Sequence, residues 1–553
     1  MSDRNSTQAP GRAEKAGQTG KQSFLQGAAV LTIGAILVKL IGALFKIPIN
    51  RIIGTEGFGH FNVAYSVYNV LLTIASTGLP VAVSRMISES STLGNRRQVQ
   101  RIYQLSLRLF LGIGIVLSAL MLIFAKQLAS FMRDPDAVYA IAALAPAVLF
   151  VCILCTFRGY FQGQRNMTST SVSQVIEALG KLIIGLGAVI IITRMGLGNA
   201  KAAGGAILGV TIGTVLAAIY LIWVYRKQHI RLTAEEQLQP VKSSSETLKQ
   251  LIQLALPITI SSAGLQIFNA LDTMIIEARL QDALGLSSAA ATSLFGTYSA
   301  AQTFYMLPPA LISPLAISII PSVTAAITLK HHREVQKLEE SAFRMTALLG
   351  LPCAAGLAVL ASPIQEWLYA YDAETVAVAG PTLALLGIAV IFNCMTIVTN
   401  AILQAHQHVK VLVWTTLAGG LVNITTDYIL IGIPSIGIYG AAIATIAYCA
   451  VITLLNVLVM HRRLEQPPRI LRQFVKPMVA TAVMSVVAYL VYEAVRHSLG
   501  RVSLAVIASV ACAGIAYVIL VYLLKIITWD DCQLLPKSAT IARLLRVSKP
   551  EDE

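Results

Sequence analysis

The side chains able to do chemistry in this chain are few, and most are ionisable groups set inside long apolar runs. Lys39 and Lys46 lie seven residues apart, a spacing that brings both to one face of a helix, and Arg51 follows toward the end of the same run. A cationic helix face attracts an anion, and an ammonium is a compact point charge suited to phosphate or pyrophosphate. Lys46 and Arg51 have the alternative of reaching out to a membrane surface, whereas Lys39 is too deep for that. Glu177 and Lys181 are spaced i,i+4 with the acid first, the better order for an intrahelical ion pair, which is the arrangement expected of them. The alternative is a place in a polar cavity. Arg85 closes the second run, either guarding a cavity entrance or serving only to orient the chain. Further on, Gln266, Asn269 and Asp272 share one run, with Glu277 and Arg279 near its end, and Asn423 and Asp427 form a second i,i+4 pair. Asp272, Asn423 and Asp427, with the Thr445 hydroxyl, make a hard-oxygen set that suits a sodium ion or a proton and not zinc. A hydrogen-bonded brace between helices is the competing use of the same residues.

The elements that must hold these groups are membrane helices. The chain is 56% hydrophobic and only 12% charged, far from the roughly 25% charged residues of soluble domains. Runs of about 20 apolar residues match the thickness of the hydrocarbon layer, where only self-satisfied helices survive. Fourteen such spans are expected, at 27–49, 61–84, 104–125, 137–157, 171–193, 204–225, 250–276, 292–320, 341–361, 378–402, 409–431, 438–460, 473–493 and 502–524. Alternate loops carry Arg96, Arg97, Arg101, Arg226, Lys227, Lys330, Arg333, Arg462 and Arg463, which assigns that side, and both termini, to the cytoplasm. The chain is therefore expected to be a multi-pass protein of the cytoplasmic membrane. The net charge of +15 is explained by these loops, and without a basic stripe interleaved with aromatics no nucleic-acid partner is expected.

Residues 1–22 read as a disordered cytosolic tail, and the first apolar run, too long and without a small-residue cleavage site, reads as a retained helix. Cys152 and Cys155 form a C-x-x-C inside an apolar run with no second pair, so both read as small buried hydrophobes. His406 and His408, with no carboxylate near them in the sequence, read as a solvated loop. No H-E-x-x-H, D-x-x-D or G-x-S-x-G is present, and no enzymatic activity is expected.

The chain also repeats itself. Gly78-Leu79-Pro80-Val81-Ala82-Val83-Ser84 aligns with Ser313-Pro314-Leu315-Ala316-Ile317-Ser318, Tyr160–Gln164 with Ile402–His406, and Ala203–Ala206 with Tyr439–Ala442. Six helices per repeat is an even number, so the two halves enter the membrane in the same orientation. The expected fold is all-α and integral to the membrane: about fourteen transmembrane helices in two parallel six-helix lobes plus two C-terminal helices. The expected divisions are 1–22 tail, 23–230 first lobe, 231–249 cytoplasmic linker, 250–463 second lobe, 464–526 the last two helices and 527–553 a cytosolic tail. Two like lobes about a midplane site are the architecture of an alternating-access transporter.

Val38-Lys39-Leu40-Ile41-Gly42 through Ile53-Gly54, the run Gly78–Met86, and Arg158-Gly159-Tyr160-Phe161-Gln162-Gly163 resemble the stage V sporulation protein B group of polysaccharide-biosynthesis membrane proteins, which is similar to MurJ-type lipid II flippases. The resemblance covers about residues 24 to 525. It implies a flippase for an undecaprenyl-pyrophosphate-linked sugar, most directly the peptidoglycan precursor lipid II, with membrane lipid around it and no cofactor beyond a coupling Na+ or H+. It further implies that Lys39, with Lys46 close by, holds the pyrophosphate, that Asp272, Asn423, Asp427 and Thr445 form a sodium site, and that the last two helices line a groove for the lipid tail. The chain departs from that pattern in lacking a cation inside its second and eighth helices, for which Arg85 and Arg279 are the candidate substitutes. Two other readings compete: a flippase for a different polyprenyl-linked polysaccharide precursor, and a cation-coupled multidrug exporter, which the cationic first helix disfavours.

Overall fold

The computed structural model describes residues 24–228 and 232–528; the expected tail at 1–22, and all but the first two residues of the expected tail at 527–553, lie outside the described residues. Among the described residues every regular element is helical. The chain runs α1 (Phe24–Ser76), α2 (Gly78–Thr92), α3 (Arg96–Ile123), α4 (Ala125–Phe131), α5 (Val138–Gly163), α6 (Met167–Gly180), α7 (Leu186–Arg194) and α8 (Asn199–Gln228). A short α9 (Ala234–Gln237) leads into α10 (Ser244–Asp282), α11 (Ser288–Tyr305), α12 (Leu307–Thr328), α13 (His332–Val359), α14 (Ala361–Tyr369), α15 (Ala373–Ala405), α16 (Val409–Leu430) and α17 (Tyr439–Arg463). Two final helices follow, α18 (Ile470–Leu499) and α19 (Val502–Leu523).

Thirteen segments are long and apolar enough to cross a membrane, and the first of them, Ile33–Thr92, has 60 residues. As one rod it would extend about 90 Å, three times the hydrocarbon thickness. It turns back instead at Gly54, whose φ of 72° and ψ of −178° break the helix at an angle that glycine adopts without steric cost. Contacts fix the path. Ser171 Oγ donates to Val30 O (3.1 Å), His60 at the other end of the crossing bonds Asp134, and the chain past Thr92 meets the α9 region, where Gln239 Nε2 donates to Gly94 O (3.1 Å). The first segment therefore holds two crossings, and the fourteen expected spans are present. We call the side carrying α9 the linker face and the side carrying Gly54 and Asp134 the far face.

The internal repeat is visible in how the helices end. Gly94, Arg133 and Arg165 in the first lobe, and Lys330, Ala370 and Gln407 in the second, occupy the left-handed region at equivalent turns, with φ of 70°, 63° and 61° against 58°, 55° and 61°. The residue after such a turn bonds back to the same place: Asn166 N donates to Phe161 O and His408 N to Leu403 O, both at 2.8 Å. This is the helix-ending bond that satisfies otherwise orphaned carbonyls. The second crossing of each lobe is also broken near its middle, after Ser76 and after Tyr305, by the prolines that follow, Pro80 and the pair Pro308 and Pro309. The break falls earlier in the second lobe, so α12 has 22 residues where α2 has 15.

Within each lobe the same partners meet, α5 on α3 and α8, and α15 on α13 and α17. α18 and α19 pack on each other and on α13, pinned by Tyr517 OH donating to Leu348 O (2.8 Å) and by Arg496 to Glu366 (3.2 Å). Cys152 and Cys155 are buried and free. His406 departs from the expected solvated loop: its Nε2 lies 2.8 Å from Oε1 of Glu339, a fully buried carboxylate of α13. The partner is 67 residues away in the chain, beyond what local sequence reveals.

Candidate functional site

Between the lobes, inside the membrane-spanning bundle, lies a cavity of about 490 Å³. Its first-lobe wall carries Lys39, Lys46 and Lys181, with Asn62, Tyr65 and Asn69 between them. Its second-lobe wall carries Gln266, Asn269, Asp272, Tyr298 and Gln302. The α1 face expected from the seven-residue spacing is thus turned inward, with Lys39 and Lys46 both at the cavity.

Lys181 arrives there by a different route from the one its spacing suggested. A π-helical turn over Lys181–Gly185 follows α6 and widens the helix beyond Lys181, while the Lys181 N–H still bonds Glu177 O in an ordinary α-helical step. Close packing onto α8 accompanies it: a Cβ on Gly180 would lie 2.5 Å from Gly213 Cα, and one on Gly209 would lie 2.2 Å from Gly185 N. The Lys181 ammonium donates to Tyr65 OH (3.2 Å) and sits 4.9 Å and 4.8 Å from the ring centroids of Phe45 and Tyr65, a cation–π seat that leaves it without a carboxylate. Lys46 and Lys181 are near enough for their charges to act on each other. Glu177 turns instead to Arg158 of α5, whose Nη2 donates to Oε2 at 2.8 Å while its Nε donates to Ser173 Oγ at 3.1 Å. The expected Glu177–Lys181 pair is therefore replaced by Arg158–Glu177, and Glu177 does not line the cavity.

The other candidate cations lie elsewhere. Arg51 is exposed toward the far face and Arg85 is exposed on α2, neither of them lining the cavity. Arg279 stacks on Tyr428 (4.2 Å) and its guanidinium fills the space over Gly432. Neither Arg85 nor Arg279 lines this cavity, and Lys181 is the further cation that does. The polar stripe Asn62, Tyr65, Ser66 and Asn69 was not singled out from sequence, although its i, i+3, i+4, i+7 spacing marks one helix face.

In the second lobe, α10 and α16 bring together the expected oxygen cluster. Asn423 Nδ2 donates to Oδ1 of Asp272 and, at 2.8 Å, to Oδ2 of Asp427. Asp427 Oδ1 is buried without a partner. Thr445 sits one step away, its hydroxyl 2.9 Å from Tyr298 OH, which also accepts from Gln302 Nε2 at 2.8 Å. A second cavity of about 590 Å³ opens in this lobe, and Asp272, Asn269, Tyr298 and Gln302 line both. Two adjoining carboxylates, an orphaned carboxylate oxygen and neighbouring amide and hydroxyl oxygens fit a small hard cation.

Both ends of the central cavity are shut. At the far face Thr55 and Ser293 hydroxyls meet at 2.6 Å, Tyr371 OH donates to Asn50 Oδ1 (2.9 Å), and a Cβ on Gly296 would lie 1.8 Å from Thr55 O. At the linker side a Cβ on Gly78 would lie 2.2 Å from Ala255 O. Beyond it, Asn95 Nδ2 donates to Pro240 O (2.7 Å) and Arg96 pairs with Glu236 (3.0 Å). Hydrogen bonds from Thr233, its backbone N–H foremost, and the Arg96 charge hold the Glu236 carboxyl below its ordinary range.

Residues 24–327 match the family described as polysaccharide biosynthesis protein. The chain is 28% identical over 438 residues to stage V sporulation protein B of Bacillus subtilis, covering 79% of this chain and 83% of that one. It is 25% identical over 442 residues to the lipid II flippase MurJ of the same organism, covering 76% and 79%. Among solved structures, the inward closed conformation of the lipid II flippase MurJ superposes with a TM-score of 0.67 at 15% identity, covering 90% of this chain and 98% of that one. An inward-facing multidrug resistance MATE transporter of the MOP superfamily superposes at 0.65 with 17% identity, covering 77% and 94%. The fold is the two-lobe transporter fold of that superfamily, and these relatives are transporters and not enzymes.

Proposed function

Because the chain belongs to the polysaccharide biosynthesis protein family, we propose that it is a flippase for an undecaprenyl-pyrophosphate-linked sugar, with lipid II as its cargo. The observation that carries this reading is the convergence of Lys39, Lys46 and Lys181 on a cavity inside the bundle. Cations in the hydrocarbon zone cost several kcal/mol unless a cavity or partner receives them. Three ammoniums on one wall, one seated on aromatic rings and none bonded to a carboxylate among the described residues, make that wall a receptor for a doubly charged phosphate headgroup.

The positively charged loops support a cytoplasmic linker face. The headgroup enters from the inner leaflet with its tail left in lipid, the lysines bind the pyrophosphate, and the lobes part at the far face to release it outward. A potential positive outside favours outward passage of an anion by about 2.3 kcal/mol per charge per 100 mV. Asp272, Asn423 and Asp427 would hold a sodium ion, with Thr445 near them; bound there, the ion would supply positive charge between the two carboxylates and so bias one arrangement of α10 and α16.

The second-lobe cavity gives the exporter alternative its one favouring observation, since Phe268, Tyr298, Tyr305 and Tyr448 surround Asp272 as an organic cation would require. The test is rescue of a bacterium whose own lipid II flippase can be shut off, scored by labelling lipid II on the outer surface. Surface lipid II with sustained growth is expected, and lost with Lys39→Ala. Membrane-inserted protein that yields no surface lipid II would overturn the lipid II assignment, and normal transport by Lys39→Ala would overturn the cationic wall.

A further inference from the structure

One set of buried ionisable groups belongs neither to the cavities nor to the cation cluster, and it lies across the seam where the lobes meet at the far face. From the first lobe comes His60 on α1, 2% exposed, with Nδ1 at 2.9 Å and 2.7 Å from the two oxygens of Asp134, itself fully buried just beyond α4. From the second lobe comes Glu277 on α10, also fully buried. Its Oε2 receives only long bonds, from Thr292 Oγ1 and Gln281 Nε2 at 3.4 Å each, and its Oε1 has no partner. Gly59, beside His60, approaches Thr292 so closely that a Cβ there would lie 2.2 Å from Thr292 O. Gln281 reaches back across the seam to donate to Arg133 O (2.7 Å). Glu277 thus faces the His60–Asp134 pair from the opposite lobe and feels the charge of Asp134.

The other charged groups do not neutralise it. Glu56 and Asp136 face His60 and add negative charge. Arg133 is engaged by Asp282 (3.0 Å) in an exposed pair, and Arg279, on the same helix as Glu277, is turned onto Tyr428. If His60 were charged and both Asp134 and Glu277 ionised, the sealed seam would hold one uncompensated negative charge. A lone buried charge costs so much that the group neutralises instead.

We propose that the far seam is a proton-binding site: the lobes close there with one proton more than the ionised cluster would carry, held on Glu277 against the His60–Asp134 pair, and release it when they part. This rests on the rocking-lobe reading of the fold. The sign follows from which state holds the proton. The closed seam binds it and the open, hydrated seam does not, so raising the pH favours opening, by at most about tenfold in the open-to-closed ratio per pH unit for one proton.

The test uses the full chain in lipid nanodiscs, with spin labels on Met195→Cys and Ala289→Cys, exposed positions of the two lobes near the far face. Cys512 and Cys532 are replaced by Ser, and the distance distribution is followed from about pH 5.5 to 8.5 by pulsed electron paramagnetic resonance, with and without undecaprenyl pyrophosphate, in the regime where a single group titrates. The longer distance is expected to gain population as pH rises. Glu277→Gln, which mimics the protonated acid, is expected to flatten the response and hold the short distance. A seam that opens independently of pH, or a pH response unchanged in Glu277→Gln, overturns the proton site and leaves the flippase reading intact. A seam that stays closed under every condition, lipid included, overturns both.

Discussion

The two walls of the central cavity come from repeats with the same helix order, the same turns and the same broken second crossing, yet they carry opposite charge. The first lobe presents Lys39, Lys46 and Lys181; the second presents Asp272, backed by Asn423 and Asp427. The difference is one of local chemistry laid on a shared backbone. In the first lobe Arg158 engages Glu177 and two aromatic rings seat Lys181, with a π-turn following it; at the equivalent stage of the second lobe, α16 runs as an unbroken helix and points an asparagine and an aspartate at α10. On the proposed function, the duplicated scaffold would divide one transport cycle between an anion-receiving half and a cation-receiving half.

The comparison breaks most sharply if the cationic wall is removed. Lys46→Ala with Lys181→Ala is expected to lower transport by at least about 100-fold, each charged contact being worth about 1.5–3 kcal/mol, while the protein still inserts; outer-surface labelling of lipid II measures it. The acidic wall should behave differently. Asp427→Asn is expected to abolish stimulation by sodium, a change of about tenfold for a coupling of 1–2 kcal/mol, while leaving headgroup binding in place; transport assayed in sodium against choline checks this. Removing the acid that Arg158 engages comes next. Glu177→Gln leaves the half-buried Arg158 with Ser173 but without its carboxylate and should cost about 1–3 kcal/mol of stability, read as a lower thermal midpoint in detergent, while Lys181 keeps its seat on Phe45 and Tyr65. The smallest effect belongs to the linker clasp. The Glu236 carboxyl is held below its ordinary range, so its contribution is present at neutral pH and lost as pH falls through that lowered value. Protection of the amides of residues 94–101 against hydrogen exchange, taken relative to the intrinsic rate at each pH, should fall on acidification in the native chain and be insensitive to it in Glu236→Gln.

The spans were readable because lipid leaves a backbone no other choice, and the inward face of α1 was readable because seven residues make two turns. The oxygen cluster was readable for a similar reason, Asn423 and Asp427 sharing a face on an undistorted helix. The α-helical spacing of Glu177 and Lys181 is kept, and the expected pair does not form because Arg158 on α5 engages the acid while Phe45 and Tyr65 seat the lysine. The Glu339–His406 pair and the seam of His60, Asp134 and Glu277 joined residues far apart in the chain, which no spacing rule reaches. The register of the repeat was set by prolines in the sequence, while the structure sets it by the turns, because the break in the second lobe has moved.

The most direct test of the cationic wall is binding of undecaprenyl pyrophosphate to the purified protein in nanodiscs, compared with undecaprenol and with the Lys39→Ala, Lys46→Ala, Lys181→Ala triple variant. The account predicts preference for the pyrophosphate over the alcohol, and loss of that preference in the variant. Equal binding of the two lipids by the native chain, or an unaltered preference in the variant, would contradict it.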